Sequence, residues 1–308
     1  MLVVLTGGTG GAKLIQGLSH EISPEELTIV CNTADDFLLY GLNISPDLDT
    51  IMYTLAGLAD ELKGWGIRDD TFTVLEQFQR YSYESWFKLG DRDLATHILR
   101  TKLLREGFSL SQVTAKLSRA LGIQATLLPM SDQRVETRVI TPQGEISFQE
   151  YFVKQRWQPI VKQVVYTGIE NSRPAPGVID ALRDASGIIL CPSNPITSIG
   201  PILTVPGVRD AIQKSAAPVI GVSPIVGVSA ISGPAHKLIA AHGRQASAFG
   251  VAEAYADLLD GFFIDTEDAT HRDRIESLGI KAVTSSIRMD SLAQKRRLAL
   301  ELLAFVKK

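Results

Sequence analysis

The chain has 308 residues, of which 45% are apolar and 21% charged, and its formal net charge is −3. That length can bury a sizeable core as one large domain or two, and the composition is ordinary for a globular protein. The slightly acidic balance leaves no footprint for nucleic acid, no apolar run is long enough to cross a bilayer, and no secretory signal pattern opens the chain, so a cytoplasmic protein is expected.

Leu2–Leu5 is a short apolar run that breaks into Thr6-Gly7-Gly8-Thr9-Gly10-Gly11-Ala12-Lys13, after which Leu14, Ile15 and Leu18 recur at helical spacing. A strand that restarts as a helix through glycines leaves backbone N–H donors and a positive dipole end free for a phosphate. The pattern is neither a P-loop, because Ala12 precedes Lys13 and Leu14 follows it, nor a full G-x-G-x-x-G fingerprint. A tight turn without a ligand is the competing reading, although four glycines in five residues exceed what a turn needs.

A second run, Leu27–Cys31, leads into Asn32-Thr33-Ala34-Asp35-Asp36. Ser45-Pro46-Asp47-Leu48-Asp49-Thr50 has the residues of a helix start: a capping serine, a first-position proline and acids that favour the dipole. Asp47 and Asp49 could equally bind Mg2+ through oxygen ligands. Leu48, Ile51, Met52, Leu55 and Leu58 then share a helical face, as do Leu94, Ile98, Leu99, Leu103 and Leu104. Trp65–Asp70 reads as a surface turn that could also stack a flat ring. Lys88–His97 opens another helix, with Asp91 as a cap, Arg92 and Lys88 available to phosphate, and His97 one turn from Asp93, either as its partner or as a proton carrier.

Val135–Ile140, Gly144–Phe152 and Val161–Tyr166 alternate as strands do. Gly187–Cys191, Pro218–Val222, Phe262–Ile264 and Ile280–Val283 are again continuous apolar runs, the form of strands buried on both faces. They alternate with helical patterns at 175–185, 202–214, 247–260 and 268–278, and an amphipathic helix spans 291–306. The expected fold is α/β, a Rossmann-like and mostly parallel sheet with a large inserted α+β lobe. Residues 1–32 and 187–308 would form the nucleotide-binding core and 33–186 the lobe. The polar loops after the strands, Asn32–Asp36, Pro192–Pro201, Ser223–Gly227 and Asp265 with Asp268, should gather at one sheet edge. Cys31 and Cys191 fit buried reduced thiols. The absence of a Ser-His-acid set suits phosphoryl transfer, which rests on positioning, metal and cationic groups.

On Gly7–Lys13, Asn32–Asp36, Ile44–Thr50, Gly64–Asp69, Leu89–His97, Pro192–Pro201, Gly233–Leu238 and Gly250–Tyr255, the chain resembles the 2-phospho-L-lactate transferase family of coenzyme F-420 biosynthesis over nearly its whole length. The resemblance implies a Mg2+-dependent enzyme. It would transfer 2-phospholactate or enolpyruvyl phosphate from a guanosine diphospho donor to the ribityl hydroxyl of 7,8-didemethyl-8-hydroxy-5-deazariboflavin, with GMP leaving. It implies that Asp49 and Lys88 contact the deazaflavin, which sits in the inserted lobe. The donor would lie on Gly7, Gly8, Thr9, Gly10, Gly11, Lys13, Ser193, Asn194, Thr197 and Ser198. Asp49 would act at the reacting phosphorus and is the first metal candidate, Asp47 the weaker one, and the family suggests a homodimer. A related family of non-catalytic, nucleotide-sugar-binding regulators shares the glycine-rich start and the core fold but resembles this chain less in Ser45–Thr50 and Gly90–His97. A nicotinamide-dependent oxidoreductase is disfavoured by the missing last glycine and by Asn32 where an acid would stand.

Overall fold

Seven short runs become the strands of one parallel sheet: β1 (Leu2–Thr6), β2 (Leu27–Cys31), β3 (Thr126–Pro129), β4 (Gly187–Leu190), β5 (Val219–Val222), β6 (Gly261–Ile264) and β7 (Lys281–Thr284). The computed structural model describes residues 1–227, 229–230 and 235–307, so Gly233 and Pro234 of the segment Gly233–Leu238 lie outside the described residues. The strand order is β7-β6-β5-β4-β1-β2-β3, and every neighbouring pair is parallel. β1, β2, β4, β5 and β6 are buried along their whole length, which is why they are apolar without alternation.

Successive side chains of β1 still part to opposite faces. Leu2 and Val4 join one cluster with Leu14, Ile15 and Leu18 of α1 (Thr9–Ser19), Leu48, Ile51 and Met52 of α2 (Pro46–Leu55), and Leu298 and Leu302 of a long helix, Leu292–Val306. Val3 and Leu5 join the other, with Val178, Leu182, Ile199, Ile202 and Val251. At full burial each such aliphatic side chain contributes roughly 1.5–3 kcal/mol. The helix at 292–306 lies directly on α1: a Cβ on Gly17 would come 2.3 Å from the carbonyl oxygen of Lys295.

Three sequence expectations change. Thr126–Pro129, assigned by sequence to the 33–186 lobe, pairs in parallel with β2 from Thr28↔Thr126 to Cys31↔Pro129. The central sheet therefore continues inside that segment, and the excursion is two pieces, 32–125 and 130–186. The first holds a hairpin (Phe37–Leu39 with Leu42–Ile44), α2, the helix Thr73–Arg80, α3 (Asp91–Arg105) and the helix Leu110–Ala120. The second holds a three-stranded antiparallel sheet of Gly144–Ser147, Glu136–Thr141 and Gln163–Thr167. Its 144–152 strand stops at Ser147, where the chain enters a wide helical turn at Glu150–Lys154. The single helix expected over 202–214 is two, Ile199–Thr204 and Val208–Lys214. Pro206 has no N–H to continue the first, and Gly207 takes φ +91 between them. Among the described residues no helix is long and apolar enough to cross a membrane.

Candidate active site

The strand order reverses direction between β1 and β4. The helix after β1 packs on one face of the sheet and the helix after β4, Ile199–Thr204, on the other. Such a switch point opens a crevice at the carboxyl ends of the strands. The glycine turn Gly7–Gly11 and the loop Pro192–Ser198 are its two sides. They are stitched together where the Gly7 N–H donates to Ser193 Oγ at 3.1 Å. α1 starts at Thr9 with no side-chain cap, which leaves its amino-terminal N–H groups and dipole without a side-chain partner. A Cβ at position 8 would lie 2.6 Å from Asp47 Oδ1. The turn is thus packed against an acid.

Asn32, at the end of β2, organises that contact. Its side-chain amide donates to Asp47 Oδ2 at 2.9 Å and to the Thr197 carbonyl at 3.1 Å. Asn194 Oδ1 accepts from the Ile196 and Thr197 N–H groups, shaping the opposite loop. Asp35 and Asp36 follow Asn32. Burial pushes both well above the usual carboxylate range, and Asp35 is raised further by Asp47. Burial raises Asp47 to about 6, against hydrogen bonds from Asn32 and Gly8 that lower it. Asp36 takes a 2.6 Å hydrogen bond from Ser45 Oγ. Ser45, expected to cap α2, makes no such bond and serves Asp36 instead. Asp35 Oδ1 and Asp36 Oδ1 are buried without a hydrogen-bond partner among the described residues.

Asp49 stands one turn into α2 and is 5% exposed. Both its oxygens are held by the Arg100 guanidinium, one at 3.0 Å from Nη1 and the other in a short contact with Nη2. Arg100 itself is 1% exposed. Its Nη1 lies 3.2 Å from His97 Nδ1, and His97 Nε2 lies 3.1 Å from Asp93 Oδ1, off the hydrogen-bond direction. Asp93 also accepts from the Tyr53 hydroxyl at 2.6 Å. The i,i+4 spacing thus brings His97 beside Asp93 without a hydrogen bond between them. The oxygens and ring nitrogen of Asp49, Asp93 and His97 lie within 4.8 Å of one another, close enough for a metal. Arg100 already supplies the positive charge at that point.

Asp91, read from sequence as the cap of its own helix, accepts from the Thr73 and Val74 N–H groups and so caps the helix Thr73–Arg80. The first turn of α3 is capped by Asp70, which accepts from Arg92 and Asp93 N–H. Of the remaining candidates, Thr9 donates to the Gly64 carbonyl at 3.0 Å. Lys13 and Trp65 line one cleft beside α1. Ser193, Thr197 and Ser198 are buried in the crevice loop, while Lys88 is exposed before α3. Asp265 and Asp268 fasten loops, accepting from Ile287 and Gly227 N–H. Cys31 and Cys191 are buried free thiols. Sequence reasoning missed Arg100, Tyr53 and Asp70, whose partners are far along the chain.

A family model described as 2-phospho-L-lactate transferase CofD matches residues 2–303. The chain is 45% identical over 310 residues to a phosphoenolpyruvate transferase of Streptomyces griseus, covering 98% of each. It is 42% identical over 298 residues to a 2-phospho-L-lactate transferase of Methanosarcina mazei, covering 97% of this chain and 98% of that one. A crystal structure of a UPF0052 family member from Bacillus halodurans superposes with a TM-score of 0.67 at 16% identity over 98% of both chains, a likeness of fold.

Proposed function

Since the chain belongs to the CofD family of 2-phospho-L-lactate transferases, we propose that it transfers a phosphorylated three-carbon acid, 2-phospholactate or enolpyruvyl phosphate, from a guanosine diphospho donor to the ribityl hydroxyl of a deazaflavin, releasing GMP. The observation that carries the reading is the crevice at the strand-order switch, where an uncapped helix start and an acid-bearing segment face each other.

The donor's diphosphate lies against the glycine turn and the Ser193–Ser198 loop, held by main-chain N–H groups and the α1 dipole. Asp47 packs against that turn, and the Asp35 carboxyl is near enough to Asp47 to be raised by it. The Asp47 carboxylate and a diphosphate meeting at one place call for a cation between them, and Asp35 Oδ1, buried without a hydrogen-bond partner among the described residues, offers that cation a second oxygen, which supports a Mg2+ site. When bound, the ion would neutralise charge on the phosphoryl oxygens and the departing GMP. We place it at Asp47 and Asp35 in preference to Asp49, whose oxygens are occupied by Arg100. Asp49 then orders the attacking hydroxyl, and Lys88 contacts the acceptor from the other side.

Incubation with deazaflavin, Mg2+ and each candidate guanosine donor, with product mass and GMP release read out, tests the reading. An adduct with at least one donor is expected. No adduct with any donor, together with tight binding of a uridine diphospho-sugar, would replace it with the regulator reading. Asp49→Asn should lower both turnover and acceptor binding, and unchanged values would remove Asp49 from the site.

A further inference from the structure

We propose that Arg100 is a positioning residue: from α3 it fixes the carboxylate of Asp49 and so sets the spacing between Asp49 and Lys88 across which the acceptor is held. This rests on the acceptor assignment made above.

The acid-bearing segment is gripped by one helix. Arg105 Nη2 donates to the Gly41 carbonyl at 3.0 Å, Thr101 Oγ1 accepts from the Asn43 N–H at 2.7 Å, and Arg100 takes Asp49. The other end of the same helix is fixed by Asp70, which receives the Arg92 and Asp93 N–H groups, and Lys88 lies three residues before it. Asp49 thus lies against the first half of α3, its carboxylate within 4.8 Å of Asp93 and His97, and Lys88 comes just before that helix, so α3 fixes where one proposed acceptor contact sits relative to the other.

The pairing is built for orientation. A guanidinium meets a carboxylate as a planar fork, fixing the plane as well as the position of the acid. It takes one lone-pair site on each oxygen and leaves another on each available to a hydroxyl. A second bridge is the Tyr53 hydroxyl donating to Asp93, and Tyr53 is on α2 one turn beyond Asp49. α2 and α3 are therefore tied twice through polar contacts around the same carboxylate. Burying such a pair adds little to stability compared with apolar packing, whereas displacing a reacting group by about 1 Å can cost 10²-fold in rate.

The experiment compares wild type, Arg100→Lys, Arg100→Gln, Asp49→Asn and the double variant Asp49→Asn/Arg100→Gln. The double variant removes the lone buried charge that could prevent Arg100→Gln from folding. Turnover and both KM values are measured per folded molecule, and Asp49 is located in crystals of Arg100→Lys. We expect Arg100→Lys to keep its donor KM, to lose about 10²-fold in kcat, to raise the acceptor KM, and to show Asp49 turned from its wild-type rotamer. In the Asp49→Asn background, Arg100→Gln should cost no further turnover. Wild-type kcat and acceptor KM in Arg100→Lys, equal losses for donor and acceptor, or additive losses in the double variant each overturn the proposal. If the wild type neither binds nor turns over deazaflavin, the function reading fails instead. The crystals then still decide the positioning claim, because an unmoved Asp49 carboxylate refutes it.

Discussion

Replacing Asp47 with Asn should stabilise the fold while disabling the site. Burial lifts the Asp47 carboxyl from 3.8 to about 6. That rise of ~2 pKa units corresponds to about 3 kcal/mol at ~1.4 kcal/mol per unit. The folded state holds the proton more tightly than the unfolded state. The stability that goes with the proton is therefore complete below the unfolded pKa and is lost as pH climbs through the folded value of about 6. At pH 7.5 the wild type carries the whole penalty and a neutral amide carries none. The amide forfeits one of the two bonds now received from Asn32 and Gly8, which costs about 1 kcal/mol. The net gain is about 2 kcal/mol, or about 3 °C in Tm for a chain of this length. It should vanish near pH 4. Thermal melts of both proteins from pH 4 to 8 without metal read it directly. Adding Mg2+ should then raise the wild-type Tm by mass action and leave the variant unmoved, while turnover of the variant falls. The reasoning fails if Asp47→Asn melts at or below wild type at pH 7.5, or if Mg2+ stabilises both proteins equally.

Other substitutions separate scaffold from site. Gly17→Ala pushes a methyl into the Lys295 carbonyl and should cost about 1–3 kcal/mol in urea unfolding, with turnover per folded molecule retained. Asp70→Ala strips the cap from α3. It should cost about 1 kcal/mol and raise the acceptor KM while the donor KM holds. Ser193→Ala leaves the Gly7 N–H without its acceptor. It should weaken donor binding by about 1 kcal/mol in titration calorimetry, with acceptor affinity unaltered.

Six of the seven central strands were legible, five because burial on both faces writes itself as an unbroken apolar run, as in Leu27–Cys31 and Gly187–Cys191, and the edge strand Lys281–Thr284 because Ile280, Ala282 and Val283 flank its exposed Lys281. The seventh, Thr126–Pro129, is an edge strand with Thr126 exposed and Leu128 only part-buried, so four residues carry little pattern. The break at Pro206-Gly207 was written in the sequence as a turn dipeptide, and the flanking apolar residues masked it. In the candidate site, the glycine turn and the Ser45–Thr50 segment were visible as local motifs. Arg100 was not. Its tie to Asp49 spans 51 residues, and helical spacing predicts neighbours only within one helix. Ser45 and Asp91 were misassigned for the same reason: both have capping chemistry, and tertiary packing gave each a distant partner, Asp36 and the helix Thr73–Arg80.

The contact between Gly17 and Lys295 has a consequence for biosynthesis. β1 sits mid-sheet, between β2 and a strand some 185 residues downstream, and its helix is covered by a segment translated about 280 residues later. A nascent chain emerging from the ribosome therefore carries an uncovered apolar helix beside the glycine turn. It can cover that helix only once residues 292–306 have cleared the exit tunnel. Pulse-labelled chains halted at residue 290 should bind chaperones.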